Sequence, residues 1–332
     1  MAEQFPHAPD RSERDTLDGG FSAGWGRHFV PAEEHVIDSH MHIDGREPWM
    51  VRKGLDLLFG ELAALRLDQV IVVDGGPGSL DWFADVSKTD RRFNFMIWMR
   101  PERPDVAFLK RAREAGAVGL KLHNFRIMKG EFEPGVWETP EWRKVFDAAE
   151  QLGMPVLWHV TQIEGGGAYS GEGSGNGLSR RRAEGASLSN AELLDRFLGI
   201  VTRYRGITFV GAHLLYVGDA TLGDLFAAHE NLSVDTSCGY FLRFGDVLHE
   251  DDFAPARAFL CKWPDRLLFA SDNRTSAAHS NPVCFEAFRC HLRYIKALRP
   301  PQDVLDKICW QNARRVFGLP ACEGWMTATT RP

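Results

Sequence analysis

The side chains in this sequence best equipped for chemistry are four histidines and one aspartate that recur at the ends of short apolar runs. His40 and His42 form an H-x-H pair within His35–Ile43 (HVIDSHMHI), which reads as a β-strand. Residues two apart on a strand point to the same side, so both imidazoles enter one space, close enough to share a metal ion. His159 stands at the end of the strand-like run Pro155–Thr161 (PVLWHVT), His213 ends Thr208–His213 (TFVGAH), and Asp272 ends Leu267–Asp272 (LLFASD). A carboxylate in so apolar a run is costly to bury alone, and a cation with nearby imidazoles removes that cost. Five metal-competent side chains from four strands are thus expected on one rim, which points to a metal site. Each of them alone would more often be a packed, hydrogen-bonded residue.

The runs that must position these side chains recur along the chain. Besides those three and His35–Ile43, the stretches Gln69–Gly76, Phe93–Arg100, Ala117–His123 and Leu232–Cys238 are short and apolar on both parities, as strands covered by helices on both faces are. Between them lie amphipathic stretches: Gly54–Arg66, Leu80–Ser87, Pro104–Ala115, Pro140–Leu152, Leu188–Tyr204, Asp219–His229, Phe253–Lys262 and Pro282–Leu298. Thr139 is placed as an N-cap before Pro140, and Ser189 with Glu192 as a capping box. Eight strands alternating with eight helices predict a closed (β/α)8 TIM barrel, with its active site at the C-terminal ends of the strands. A further helix, Pro301–Phe317, is expected on the outside.

The expected organisation is an N-terminal arm (1–34), a barrel (35–320) and a tail (321–332). The stretch 163–187 holds eight glycines and reads as a loop after the fifth strand, on the catalytic face, either a lid or disordered. The chain has 332 residues, 44% hydrophobic and 25% charged, with a formal net charge of −6. That composition is globular, and the balance offers no basic footprint for nucleic acid; Arg180, Arg181 and Arg182 form the one short basic run. Six cysteines without a C-x-x-C pair read as reduced, buried thiols. With no secretory segment or run of about 20 apolar residues, a cytoplasmic protein without membrane contact is expected.

Taken in order, DSHMH (Asp38–His42), GLKLH (Gly119–His123), HV (from His159), GAHL (Gly211–Leu214), FASD (Phe269–Asp272) and NARRVFGL (Asn312–Leu319) resemble the amidohydrolase superfamily, and within it the amidohydrolase-related (amidohydrolase 2) branch. The resemblance runs from about residue 35 to 320. It implies a TIM barrel with a divalent metal, zinc most often and manganese otherwise, held by His40, His42, His159 and Asp272. Asp272 would also serve as the general base, and His213 would polarise a carbonyl or bind a second ion. Lys121 ends the fourth strand, where two-metal members carry a carbamylated, bridging lysine. One ion is the expectation; two ions, or a Lys121 that binds a substrate carboxylate, stay open. His123 and Arg100 are candidate substrate contacts. Asp74 and Asp235 are candidate supports for the ligands, and Trp98 and Trp158 read as outward or packing residues.

The implied reaction is hydrolysis of a C–N or C–O bond at a carbonyl (amide, lactam, lactone or ester) of a small molecule through metal-bound hydroxide. The alternative is non-oxidative decarboxylation of an aromatic or unsaturated carboxylic acid. Decarboxylases of the branch usually carry a glycine- and proline-bearing motif after the sixth-strand histidine, where this chain has Leu214-Leu215-Tyr216-Val217-Gly218, and a proline-containing sequence where it has Asn273-Arg274. A catalytically dead binding protein on the same barrel is the reading from another class. Family habit suggests a homodimer.

Overall fold

The structure, a computed structural model, describes residues 35–44, 47–62, 66–161, 188–237, 253–276, 288, 292 and 295–320. The arm (1–34), the glycine-rich loop (163–187) with its three arginines, and the tail (321–332) lie outside the described residues. Nine strands run β1 (Val36–Asp44), β2 (Leu67–Gly75), β3 (Phe93–Trp98), β4 (Gly119–His123), β5 (Val156–His159), β6 (Phe209–Gly211), β7 (Leu232–Asp235), β8 (Leu267–Leu268) and β9 (Asn273–Ser276). All pair in parallel, in the order β8-β7-β6-β5-β4-β3-β2-β1-β9. The last two strands are pieces of one stretch of chain. The first piece pairs with β7 and the second with β1, so the sheet closes on itself as the expected TIM barrel.

Helices fill the connections: α1 (Pro48–Glu61), α2 (Leu80–Thr89), α3 (Val106–Glu114), the single turn α4 (Phe125–Met128), α5 (Pro140–Gln151), α6 (Asn190–Arg203), α7 (Asp219–Ala228) and α8 (Phe253–Lys262). The Thr139 hydroxyl accepts from the Trp142 amide at the start of α5, and Ser189 and Glu192 form the expected capping box on α6. Helix α1 begins six residues before the expected Gly54, with Pro48 in its first turn, where a missing N–H leaves no bond unmade. Of the expected helix 282–298, Phe288, Leu292 and 295–297 are described and helical. At the C-terminus, α9 (Gln302–Asp306) and α10 (Asn312–Phe317) are joined by a π-helical turn, Lys307–Gln311. Among the described residues no helix is long and apolar enough to cross a membrane. Cys309 is buried as expected, but Cys261 is exposed; the other four cysteines lie outside the described residues.

Two apolar clusters account for the packing. The larger lies between barrel and helices. The smaller is the barrel's own filling: Ile37, Ile71, Val73, Met96, Leu157, Val210 and Leu268, plugged by Ala313, Phe317 and Leu319 at the C-terminus. Register then dictates what stands above that layer. Lys121 pairs with Trp98 on one side and with Leu157 on the other, and His123 pairs with His159. Paired residues of neighbouring strands share a face, so these polar side chains line the same interior that Leu157 fills lower down. Of the two sequence readings of Trp98, outward or packing, the outward one is corrected here: its register with Lys121 turns it inward.

Asn124, just past β4, locks this end of the barrel to the helices. Its side-chain oxygen accepts from the indoles of Trp137 (2.9 Å) and Trp158 (3.0 Å), and its amide donates to the Val160 carbonyl (2.9 Å). All of this is buried. Asn124→Ala leaves these groups without partners, at about 1–3 kcal/mol for each that stays buried. We expect a total loss near ~3 kcal/mol in urea denaturation; a loss under ~1 kcal/mol would mean that the indoles find new acceptors.

Candidate active site

Strand β1 delivers its histidines through an irregularity. Ile37 faces the interior cluster, and His40, three residues on, also faces inward, which a regular strand forbids. The register between β1 and β2 shifts between Asp38 and Met41, and that bulge rephases the strand. From there His40 and His42 point into the same space.

Each of the two imidazoles has a carboxylate behind it. His40 Nδ1 donates to Asp235 Oδ2 (3.0 Å) and His42 Nδ1 to Asp74 Oδ1 (2.7 Å). Both Nε2 atoms are thereby turned to the centre, where Asp272 Oδ1 lies 3.5 Å from His40 and 3.1 Å from His42. Asp272 was expected to end the eighth strand. It instead sits in the break between β8 and β9 with φ 55°, a left-handed conformation that aims its carboxylate across the seam.

His213 departs further from expectation. Strand β6 stops at Gly211, and His213, Leu214, Leu215 and Tyr216 all have left-handed φ, between 48° and 59°. Four such residues cost on the order of 1–2 kcal/mol each. The turn is held by the bond from the His213 amide to Asp235 Oδ1 (2.9 Å) and by the Thr161 hydroxyl, which donates to the Leu215 carbonyl (2.6 Å). The His213 ring lies against Ser237 through Nδ1 and meets His159 Nδ1 through Nε2 at 3.0 Å, while Tyr216 stacks on its face. His159 in turn stacks on His123 (4.1 Å between centroids), and His123 on Trp98 (5.9 Å).

Lys121 is buried beneath this layer, its ammonium donating to His40 Nε2 at 3.0 Å. Arg100 is exposed beyond β3. Arg274 pairs with His42 in register and is exposed, so it stands on the barrel's inner face at the mouth, a placement the sequence reading missed. Ser237 and Tyr216 were missed as well; both follow strands, in turns that strand periodicity does not describe.

The fields these groups make are opposed. Burial, aided by the Lys121 ammonium, pushes His40 down to about 4. Burial also holds His123, His159 and His213 below the ordinary imidazole value. Burial works against the charged forms of His42 and Asp272 too, but is outweighed there. Asp74 and Asp272 raise His42 to about 9, and His40, His42 and His213 keep Asp272 well below the usual carboxylate range. The centre therefore sets four neutral imidazoles among the ionised carboxylates of Asp235 and Asp272, and it favours positive charge at His42.

Among the described residues, two sets of ligand atoms lie within 4.8 Å of one another: His40, His42 and Asp272, and His40, His213 and Asp235. Asp235 already accepts from His40, from the His213 amide and from the amide and hydroxyl of Ser237, so the first set is the better cation site. A field that lifts an imidazole to about 9 fits a divalent ion there. His159 does not join that set within the same span, yet its Nε2 is buried without a hydrogen-bond partner, as an unused ligand atom would be.

The sequence profile of the Amidohydrolase family matches residues 37–319. No curated protein sequence matches the chain. Among solved structures it is similar to a probable 2-pyrone-4,6-dicarboxylic acid hydrolase of Acinetobacter baumannii (14% identity, TM-score 0.56, covering 86% of this chain and 99% of that one). It is also similar to the 5-carboxyvanillate decarboxylase of Novosphingobium aromaticivorans, solved with manganese (14%, 0.56, 86% and 97%). A third is a 2,6-dihydroxybenzoate decarboxylase (14%, 0.57, 86% and 99%). At that identity the likeness carries the fold alone.

Gly211 permits the left-handed turn: a Cβ there would stand 2.4 Å from a Leu215 methyl. We expect Gly211→Ala to cost about 1–3 kcal/mol in denaturation through overpacking. The double variant with Leu215→Ala should lose less than the two single losses summed; additivity would show that the two sites do not touch.

Proposed function

The chain belongs to the amidohydrolase family, and from that premise we propose that it is a metal-dependent hydrolase of a small molecule, cleaving a C–N or C–O bond at a carbonyl. His40, His42 and Asp272 would hold one divalent ion, with His159 offering its unpartnered Nε2 as the further donor. When bound, such an ion acidifies water and polarises a carbonyl. Zinc is the default; manganese is the ion in the similar 5-carboxyvanillate decarboxylase.

The observation that carries the reading is the state of Asp272. Its carboxylate is held ionised between two imidazole Nε2 atoms and its side chain keeps 23% of its surface open to solvent. A group so placed can take the proton of an attacking water and return it to the leaving nitrogen or oxygen. His213, neutral and fixed by Ser237, would face the substrate carbonyl. His123 and Trp98 offer a stacked flat wall, and Arg274 and Arg100 cationic ends for an acidic substrate. Lys121 Nζ, turned toward His40 Nε2, supports a positioning role more than a bridging one. Localisation in the cytoplasm and a homodimeric state belong to the same proposal.

Decarboxylation uses a similar bed of ligands but must deliver a proton to carbon. The protonated groups here, Lys121 and His42, turn their protons to His40, Asp74 and Asp272, which favours hydrolysis. Turnover of lactone, amide and aromatic-acid panels in labelled water separates the two reactions. Hydrolysis places one oxygen of the solvent in the new carboxylic acid; decarboxylation releases carbon dioxide, and its exclusive release would overturn the reading. We expect about one equivalent of metal by elemental analysis, lost in His42→Ala. Asp272→Asn should lower kcat by about 10²–10⁴-fold; loss below tenfold would remove Asp272 as the base.

A further inference from the structure

Asp38 is buried at 0% exposure and touches the ligand strands on both sides of the barrel seam. Its Oδ1 accepts from the His40 amide (3.2 Å) and from the Ser271 amide (3.0 Å). Its Oδ2 accepts from the Ser271 hydroxyl (2.5 Å), and the oxygen of that hydroxyl accepts from the Asn273 amide (3.0 Å). Asp272, between Ser271 and Asn273, thus has both neighbours fixed, while its own amide donates to the His40 carbonyl (2.9 Å). A single carboxylate therefore ties the backbone of one proposed ligand to the residues flanking another, in a stretch that no strand ladder holds.

Such a group is expensive to keep. A carboxyl group taken out of water is stable only when hydrogen-bonded throughout, and the apolar alternative at this position would cost nothing in desolvation. Nothing in the barrel's packing needs a carboxylate here. Ile37 already faces the filling of the barrel, and the bonds from Ser39 to the Phe269 carbonyl hold the seam one residue along. To the direct bond from the Asp272 amide to the His40 carbonyl, Asp38 adds the tie that fixes the residues on either side of Asp272.

Resting on the reading of His40, His42 and Asp272 as the ligand set, we propose that Asp38, through Ser271, is a positioning residue that fixes where the Asp272 carboxylate stands relative to His40 and His42. Asp38 touches neither substrate nor ion; it acts through the main chain. Groups acting on ligands at one remove typically change metal affinity by about 10–100-fold when removed.

The test uses the full chain loaded with cobalt(II), whose visible spectrum reports ligand number and geometry, together with amide hydrogen exchange of the metal-free protein over 267–276. Ser271→Ala removes one bond to Asp38 and the acceptor of the Asn273 amide with little change of volume, and Asp38→Asn keeps the shape and most of the acceptors. We expect Ser271→Ala and Asp38→Ala to weaken cobalt binding ten- to hundredfold and alter the spectrum, with Asp38→Asn recovering most of both. In the metal-free protein, exchange at Asp272 should quicken in Ser271→Ala while the other strands keep their protection. Wild-type spectrum and affinity in Ser271→Ala and Asp38→Ala would overturn the proposal. If Asp38→Ala does not fold, Ser271→Ala and Asp38→Asn decide. If wild type takes up no cobalt, the metal reading falls, and the exchange result alone decides whether Asp38 holds Asp272: quickened exchange confined to 267–276 upholds it, and unchanged exchange overturns it.

Discussion

Closure of the barrel between its first and eighth segments is the constraint on which the rest depends. A continuous eighth strand would pair with β7 and β1 along its whole length and present its side chains in strict alternation. Here it keeps that pairing for Leu267–Leu268 and Asn273–Ser276 and breaks it for the four residues between. The main-chain groups in the break are met one by one. The Phe269 amide donates to the Ile308 carbonyl of the π-helical turn, the Ala270 amide to the Thr236 hydroxyl and the Asp272 amide to His40. The π turn thus has a structural cause, since it supplies a carbonyl to a strand that has lost its ladder. Freed from alternation, Asp272 adopts φ 55° and reaches the two histidines of β1.

Closure at that seam also explains the layering of the interior. Below, side chains from most of the strands fill the barrel with hydrocarbon, and the C-terminal helix plugs it. Above, most polar groups have a partner, His159 Nε2 being an exception. Asp74 and Asp235 stand behind the two histidines, Ser237 bridges Asp235 and His213, and the four histidines other than His42 are held neutral by burial. His40 and His42, with Nδ1 committed to Asp235 and Asp74, turn Nε2 to the centre, as the ligands of a metal site would. His42 and Asp272 face each other at 3.1 Å, which pairs those two charges above the apolar floor.

Much of this was legible in the sequence, for identifiable reasons. Strands buried on both faces announce themselves as apolar runs, and caps such as Thr139 and the Ser189–Glu192 box are local chemistry, so the alternation and the boundaries of α5 and α6 could be read directly. The grouping of His40, His42 and Asp272 could be read because each lies at the C-terminal end of such a run. What could not be read is whatever depends on a break in periodicity. The bulge after Asp38, the left-handed turns at His213–Tyr216 and Asp272, and the inward turn of Trp98 are set by pairing with distant strands. The start of α1 was missed because its first turn is anchored by Val51 alone, ahead of the leucine stripe that marks the helix.

The breaks in periodicity fall where the chemistry is proposed to occur, and that coincidence has a physical basis. A regular barrel strand can send only every second side chain inward, at a height fixed by the pleat. Bringing His40, His42 and Asp272 to one point from two strands requires neighbouring side chains at heights that alternation does not supply, so β1 bulges and the eighth segment leaves its ladder. The same departure at Gly211 lets His213 fold back toward His159. Each departure leaves backbone donors and acceptors in need of partners, and the partners found (Asp38, Thr161, Asp235, Ser271) are polar side chains buried beside the site. The polar population around the proposed ligands is therefore larger than the chemistry alone would use, and part of it exists to hold irregular backbone in place. A residue such as Asp38 belongs to that second population. Its proximity to the site follows from the geometry of closure and does not make it a participant in proton transfer. Asp272 is proposed for the first, because its carboxylate is ionised, held by the proposed ligand histidines and open to solvent.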